Sequence, residues 1–296
     1  MGAGMETCDV LARAAALPCW TAPEGARMLE GGKTNQNILI TDAGKRYVVR
    51  FGQDIPEHGI LRWHELMVNR AAVAAGLSPA IHHSAPGVLV SEFVEALPIT
   101  AQDLARPGAI EALAALLRRV HVDTQRHLSG PVLSFWVFHI LRDYARQLRE
   151  RGSSHLPLIP GLLAEAEGLE AAIGPVTMVL GHNDLLPGNI LKGVDRLWLI
   201  DWEYAGLGSP LFDLGGLASN NGFTEAQERL LLSAYHDAPA DDALWHRYQA
   251  MKCASLLRET MWSMVSEIIS DLDVDFATYT ADNLSAYRAA LAALNA

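Results

Sequence analysis

Basic residues are scarce in this chain. Its 23 Lys and Arg stand against 34 Asp and Glu, a formal net charge of -11, and a surface of that sign repels phosphate backbones and anionic lipid. Nucleic acid is therefore not expected as a partner. Cysteine is scarcer still: Cys8, Cys19 and Cys253 are an odd number in no metal-ligand or redox spacing, which points to reduced structural thiols and a cytosolic setting. No apolar run approaches the roughly 20 residues that cross a bilayer, since even 176–180 is stopped by Gly181 and His182. Glu6 and Asp9 stand where an export signal needs positive charge. The expectation is a soluble protein with no export signal and no membrane partner. Internal repeats and low-complexity segments are also missing, which argues against a solenoid.

What is present is an apolar half of 296 residues, enough for a sizeable core in one large domain or two lobes. The first third has strand chemistry. Residues 37–41 and 47–51 are β-branched, apolar runs joined by Asp42-Ala43-Gly44-Lys45, good hairpin-turn residues. Pro56 and Glu57 open a predicted helix that runs to Gly76, with Pro79 as a stop beyond it. Two further strands are expected near 80–83 and 88–94, around Ala85-Pro86-Gly87.

After Leu97-Pro98 the pattern turns helical: 107–122, then a helix capped by Ser134 and ending at Gly152, then helices from Thr224, a long one over about 243–269, and a last one near the C-terminus. An island of strand signals at 176–180, 190–192 and 197–200 interrupts them. The chemistry is concentrated there. Gly181-His182-Asn183-Asp184-Leu185-Leu186-Pro187-Gly188-Asn189 sets an acid and an amide five residues apart in a loop, and Asp201 follows one strand later. Phosphoryl transfer needs a carboxylate to accept the proton of the attacking hydroxyl and oxygen ligands to hold Mg²⁺ against ATP phosphates. Asp184 fits the first role, and Asn189 and Asp201 the second. Taken singly, each could equally satisfy backbone donors in a turn.

Together, His-x-Asp, four spacers, Asn, a strand and Asp resemble the catalytic and metal loops of the eukaryotic-like kinase fold. Leu199-Ile200-Asp201-Trp202-Glu203-Tyr204-Ala205-Gly206 and Pro210-Leu211-Phe212-Asp213-Leu214 resemble, more narrowly, the choline/ethanolamine kinase-like branch of the aminoglycoside phosphotransferase superfamily. The resemblance implies an α+β, protein-kinase-like two-lobe fold: residues 1–95 as a small nucleotide-binding lobe with an antiparallel sheet and one helix, and 96–296 as a larger, mostly helical catalytic lobe. It implies ATP and Mg²⁺ as cofactors, places Glu203 beside metal and substrate, and admits a homodimer.

Leu29-Glu30-Gly31-Gly32-Lys33-Thr34-Asn35-Gln36-Asn37 looks like the family's phosphate-covering loop, with Gly31, Gly32, Lys33, Thr34 and Asn35 as nucleotide contacts. A Walker A loop is the rival, but Arg27 stands where its first glycine belongs, and the segment leads into a strand. Arg50 occupies the strand position where kinases carry a phosphate-contacting lysine, which a guanidinium fork can replace. Glu65 is its expected ion-pair partner. Val90-Ser91-Glu92-Phe93-Val94 resembles the hinge that reads adenine through backbone groups, with Glu92 and Val94 as its contacts.

The acceptor is expected to be a small amino alcohol such as choline or ethanolamine. Ser255, Glu259, Trp262 and Ser266 recur at three- and four-residue spacing, which puts them on one helix face. Trp262 resembles the aromatic wall of a quaternary-ammonium site, and Trp202 and Tyr204 are candidate walls beside it. Glu259 stands where many choline kinases have a second tryptophan, and a carboxylate there suits a primary ammonium. Aminoglycoside or thiamine as acceptor, a catalytically inactive binding module, and a metal-dependent hydrolase using His182, Asp184 and Asp201 stay open as alternatives.

Overall fold

The computed structural model describes residues 2–29, 35–272 and 274–295. After helix α1 (Gly2–Ala15), strands β1 (Pro23–Met28), β2 (Gln36–Asp42) and β3 (Lys45–Phe51) form antiparallel pairs. The β2–β3 hairpin turns at Ala43 and Gly44, both with positive φ, the conformation that tight hairpin turns demand. Helix α2 (Arg62–Ala74) precedes β4 (Ile81–Ala85) and β5 (Val88–Glu92), and the finished sheet has the antiparallel order β1-β2-β3-β5-β4. The sequence places the start of this helix at Pro56. Instead Pro56–His58 makes a single 3₁₀ turn that ends at Gly59, φ +73, and Ile55 bridges to Ile60 before α2 begins.

Short β6 (Leu97–Pro98) leads into α3 (Ala101–Leu104), α4 (Ala109–Val122), α5 (Val137–Glu150) and α6 (Ile159–Ile173). Ser134 does not cap α5. Trp136 holds that position, while Ser134 bridges to Leu207. The island follows as β7 (Val179–Gly181), β8 (Ile190–Lys192), β9 (Leu197–Leu199) and β10 (Gly206–Gly208), and then come α7 (Pro210–Asn220), α8 (Glu225–His236), α9 (Asp242–Ile269) and α10 (Phe276–Leu294). The α+β two-lobe architecture expected from the sequence is the one observed.

Two apolar clusters hold the lobes. The smaller joins Ile38, Ile40, Val49 and Val90 of the sheet to Ala14 of α1. The larger runs through the helical part and reaches up to Val68 and Ala72 of α2. Helix α2 is thus packed against both lobes, so its charged side chains sit at the junction. Among the described residues no helix is long and apolar enough to cross a membrane.

Candidate active site

The loop after β7 is held from beneath by Asp213, in the first turn of α7. Its Oδ2 accepts the backbone N–H of His182 at 2.8 Å and its Oδ1 that of Asn183 at 2.7 Å, while His121 of α4 adds an Nε2 contact at 2.9 Å. Burial alone would raise the Asp213 pKa, but the His121 contact and the neighbouring charges hold it below the ordinary carboxylate value. Gly181 leaves room for this brace: a Cβ there would stand 2.7 Å from Asn183 Oδ1 and 3.1 Å from Asp213 Oδ2. His182 is fully buried. Its Nε2 meets the Ile200 carbonyl at 3.0 Å and its Nδ1 accepts the Asp184 N–H at 3.3 Å. With both ring nitrogens engaged, and its pKa lowered by burial, His182 serves the loop and is not a metal ligand, which removes the imidazole that a metal-hydrolase reading requires.

Above that brace the amide of Asn189 donates to both the carbonyl and the Oδ2 of Asp184, each at 2.8 Å. Asp201 follows β9 with φ +65, a left-handed backbone that aspartate tolerates better than bulkier residues. Asp184, Asn189, Asp201 and Glu203 border one cavity of about 560 Å³, together with Arg50, Glu92, Val94, Tyr204, Glu259 and Trp262. Burial pushes the Asp184 carboxyl up to about 7, with Arg258 opposing and Glu259 and Glu203 reinforcing the rise. Burial, then the charge of Glu203, also raises Asp201 against the pull of Arg50. A cleft that crowds carboxylates until ionisation is costly suits a cation.

Arginine supplies part of that positive charge. Arg50 on β3 pairs with Glu65 of α2 and, at 3.0 Å, with Asp201. Arg62, which sequence reasoning missed, shares one nitrogen between Glu65 at 2.8 Å and Glu203 at 2.9 Å. Its only advance signal was its place three residues ahead of Glu65 at a helix start. Asn35 also donates to Glu203, at 3.1 Å. Gly31, Gly32, Lys33 and Thr34 lie outside the described residues. At the expected hinge, the Glu92 N–H is engaged by Ala80 O and the Val94 carbonyl accepts from Ala96, each at 2.9 Å.

The candidate acceptor residues divide. Trp202 is fully buried, donates its indole N–H to Ser78 Oγ at 2.7 Å and packs on His182, so it underpins the loop and is no pocket wall. Tyr204 and Trp262 do border the cavity, and the Trp262 indole N–H donates to the Tyr204 hydroxyl at 2.8 Å. Ser266 instead meets His58 at 3.0 Å, and Ser255 borders a separate small cavity. Arg258 and Tyr279 border the main cavity too and were not anticipated; a basic residue directly after the apolar pair Leu256-Leu257 was the available sign of Arg258.

The family model described as "Phosphotransferase enzyme family" matches residues 25–251. Protein LicA of Haemophilus influenzae is 25% identical over 270 residues, covering 86% of this chain and 77% of that protein. A choline/ethanolamine kinase family protein from Mesorhizobium loti has a solved structure that superposes with TM-score 0.78 at 28% identity, covering 97% of this chain and 98% of that one. A structure of LicA in complex with AMP matches with TM-score 0.75 at 22% identity, over 98% and 99% of the two chains.

Proposed function

The chain belongs to the phosphotransferase enzyme family, and from that premise we propose that it is an ATP- and Mg²⁺-dependent kinase that phosphorylates the hydroxyl of choline, ethanolamine or a related amino alcohol. The observation that carries this reading is the meeting of Asp184, Asn189, Asp201 and Arg50 around one cavity. In this reading residues 1–95 hold the nucleotide, and 96–296 hold the base, metal and acceptor.

The donors fit the groups they are assigned. Carboxylate and amide oxygens are the ligands a hard cation takes, and Asn189, Asp201 and Glu203 offer them; the Asn189 nitrogen is already engaged by Asp184, so its amide oxygen is the atom left for coordination. When bound, Mg²⁺ would neutralise phosphate charge. In this reading Arg50, paired with Glu65, contacts phosphates, and the adenine lies in the cavity that Glu92 and Val94 border. Asp184 is the residue that accepts the proton of the acceptor hydroxyl. Its Oδ2 is oriented by the Asn189 amide at 2.8 Å, and a carboxyl raised to about 7 is a base matched to neutral pH.

The test is ADP formation with Mg²⁺ against choline, ethanolamine, an aminoglycoside and thiamine, repeated with EDTA. ADP release stimulated by an amino alcohol and abolished by EDTA is the expected result. Turnover with the aminoglycoside or thiamine alone would move the acceptor class, and no stimulation by any alcohol would overturn the reading.

A further inference from the structure

The aromatic rings at the acceptor end of the cavity are already in use by the protein's own groups. The guanidinium of Arg258 lies over Tyr204, 4.3 Å from the ring centroid. The imidazole of His58 stacks on Trp262 at 5.0 Å and 28°. Tyr204 and Trp262 are left only 7% and 6% exposed. A quaternary ammonium held by cation-π contact needs open ring faces, and Tyr204 offers its face to an internal cation instead.

Beside these rings stands a carboxylate that is both fixed and accessible. Glu259 Oε2 accepts from Arg258 Nη1 at 3.0 Å, and its Oε1 accepts from the Tyr279 hydroxyl at 2.7 Å. Its side chain keeps 25% of its surface exposed, against 5% for that of Arg258. An ionised carboxylate has about four lone-pair sites. The two donors therefore set its direction and leave capacity for ligand N–H groups.

Resting on the kinase reading above, we propose that Glu259 recognises the acceptor's nitrogen through N–H hydrogen bonds, with Arg258 and Tyr279 as the positioning residues that aim it. The substrate class is then amino alcohols whose ammonium keeps at least one N–H, and choline is disfavoured because trimethylammonium has none. Arg258 acts twice in this arrangement, orienting Glu259 and filling the π-face that would otherwise reward a methylated cation.

The experiment is kcat/KM along the series ethanolamine, N-methylethanolamine, N,N-dimethylethanolamine and choline. The expected profile declines gently and then drops about tenfold or more at choline, where the last N–H disappears. Equal kcat/KM for choline and ethanolamine overturns the inference while leaving the kinase reading intact. If no member of the series is turned over, the assignment of an amino alcohol as acceptor fails, and nitrogen recognition is then read by thermal shift with ethylamine against tetramethylammonium. Stabilisation by ethylamine alone supports the inference; equal stabilisation, or none by either, overturns it. Tyr279→Phe should raise KM for ethanolamine ~3- to 10-fold with kcat within about twofold and narrow the gap to choline. Arg258→Met should raise that KM more strongly, with Arg258→Lys restoring part of the loss. A fall in kcat at unchanged KM in Tyr279→Phe would show that this hydroxyl does not position the nitrogen site. Should Arg258→Met fail to fold, Tyr279→Phe and the methylation series decide.

Discussion

Two arginines border the same cavity, and they are anchored in opposite ways. Arg50 stands on a strand of the small lobe and reaches acids in other elements, Glu65 in α2 and Asp201 beyond β9. Arg258 pairs with its own chain neighbour, Glu259, inside a helix packed into the large core. A contact that crosses the lobes, as Arg50–Asp201 does, changes whenever they shift relative to one another. Contacts of the second kind persist until the core itself opens, because the partners share one backbone. The part of the cavity proposed for the nucleotide is thus assembled from separable pieces, whereas the part proposed for the acceptor is pre-formed.

The largest expected effects fall at Asp184, whose raised pKa Arg258 opposes, and at Asp201, which pairs with Arg50. Asp184→Ala should lower kcat ~10²- to 10⁴-fold, the usual worth of a positioned base, while ATP affinity by calorimetry stays near wild type. Asp201→Ala should lose turnover and Mg²⁺-dependent nucleotide affinity together. Wild-type rates in either variant would contradict the assigned roles. Next in size is a direct challenge to the two-ended picture: Arg50→Met should raise KM for ATP roughly 10-fold or more, as expected when a charge-assisted contact is lost, and leave KM for the amino alcohol nearly unchanged. If the amino-alcohol KM rises as much as that of ATP, the ends are not independent and the comparison breaks.

The two ends were also unequally legible in the sequence. Asp184 and Asn189 lie five residues apart in one loop, and the hairpin at Ala43-Gly44 is set by local turn chemistry, so a window of a few residues carried both. Arg50 could be placed because 47–51 is a short β-branched run beside a hairpin turn, and the family resemblance expects a phosphate-contacting basic residue on that strand. The pairing of Arg62 with Glu203 spans 141 residues, and the hydroxyl that fixes Glu259 arrives from α10, 20 residues on; neither is visible before the chain is folded. Trp202 illustrates the same limit: an indole beside the candidate metal ligand Asp201 reads as a pocket wall, yet Ser78, 124 residues away, draws it into the core. Among elements, the start of α2 was misplaced because Pro56 suggested a helix that the left-handed Gly59 ends after one turn. Residues 2–15, 23–28 and 159–173 received no element, since their periodicity is weak and packing against α9 and the sheet decides their structure.

The smallest expected effect bears on which arginine governs Asp184. Burial raises its carboxyl to about 7, and Arg258 is the main charge opposing that rise; an unfolded chain would titrate it near ~3.9. Between about pH 4 and 7 the folded state then binds more protons than the unfolded one, so this site contributes stability at low pH that is lost as pH climbs through the folded value. Without nucleotide and metal, Asp184→Asn should therefore melt several degrees higher than wild type at pH 8, and the gap should narrow toward pH 5. Differential scanning calorimetry at the two pH values reads it. A wild type as stable as Asp184→Asn at pH 8 would mean that Arg258 fully offsets the burial of Asp184, which would make the acceptor end a more complete counter-charge than its pairing with Glu259 implies.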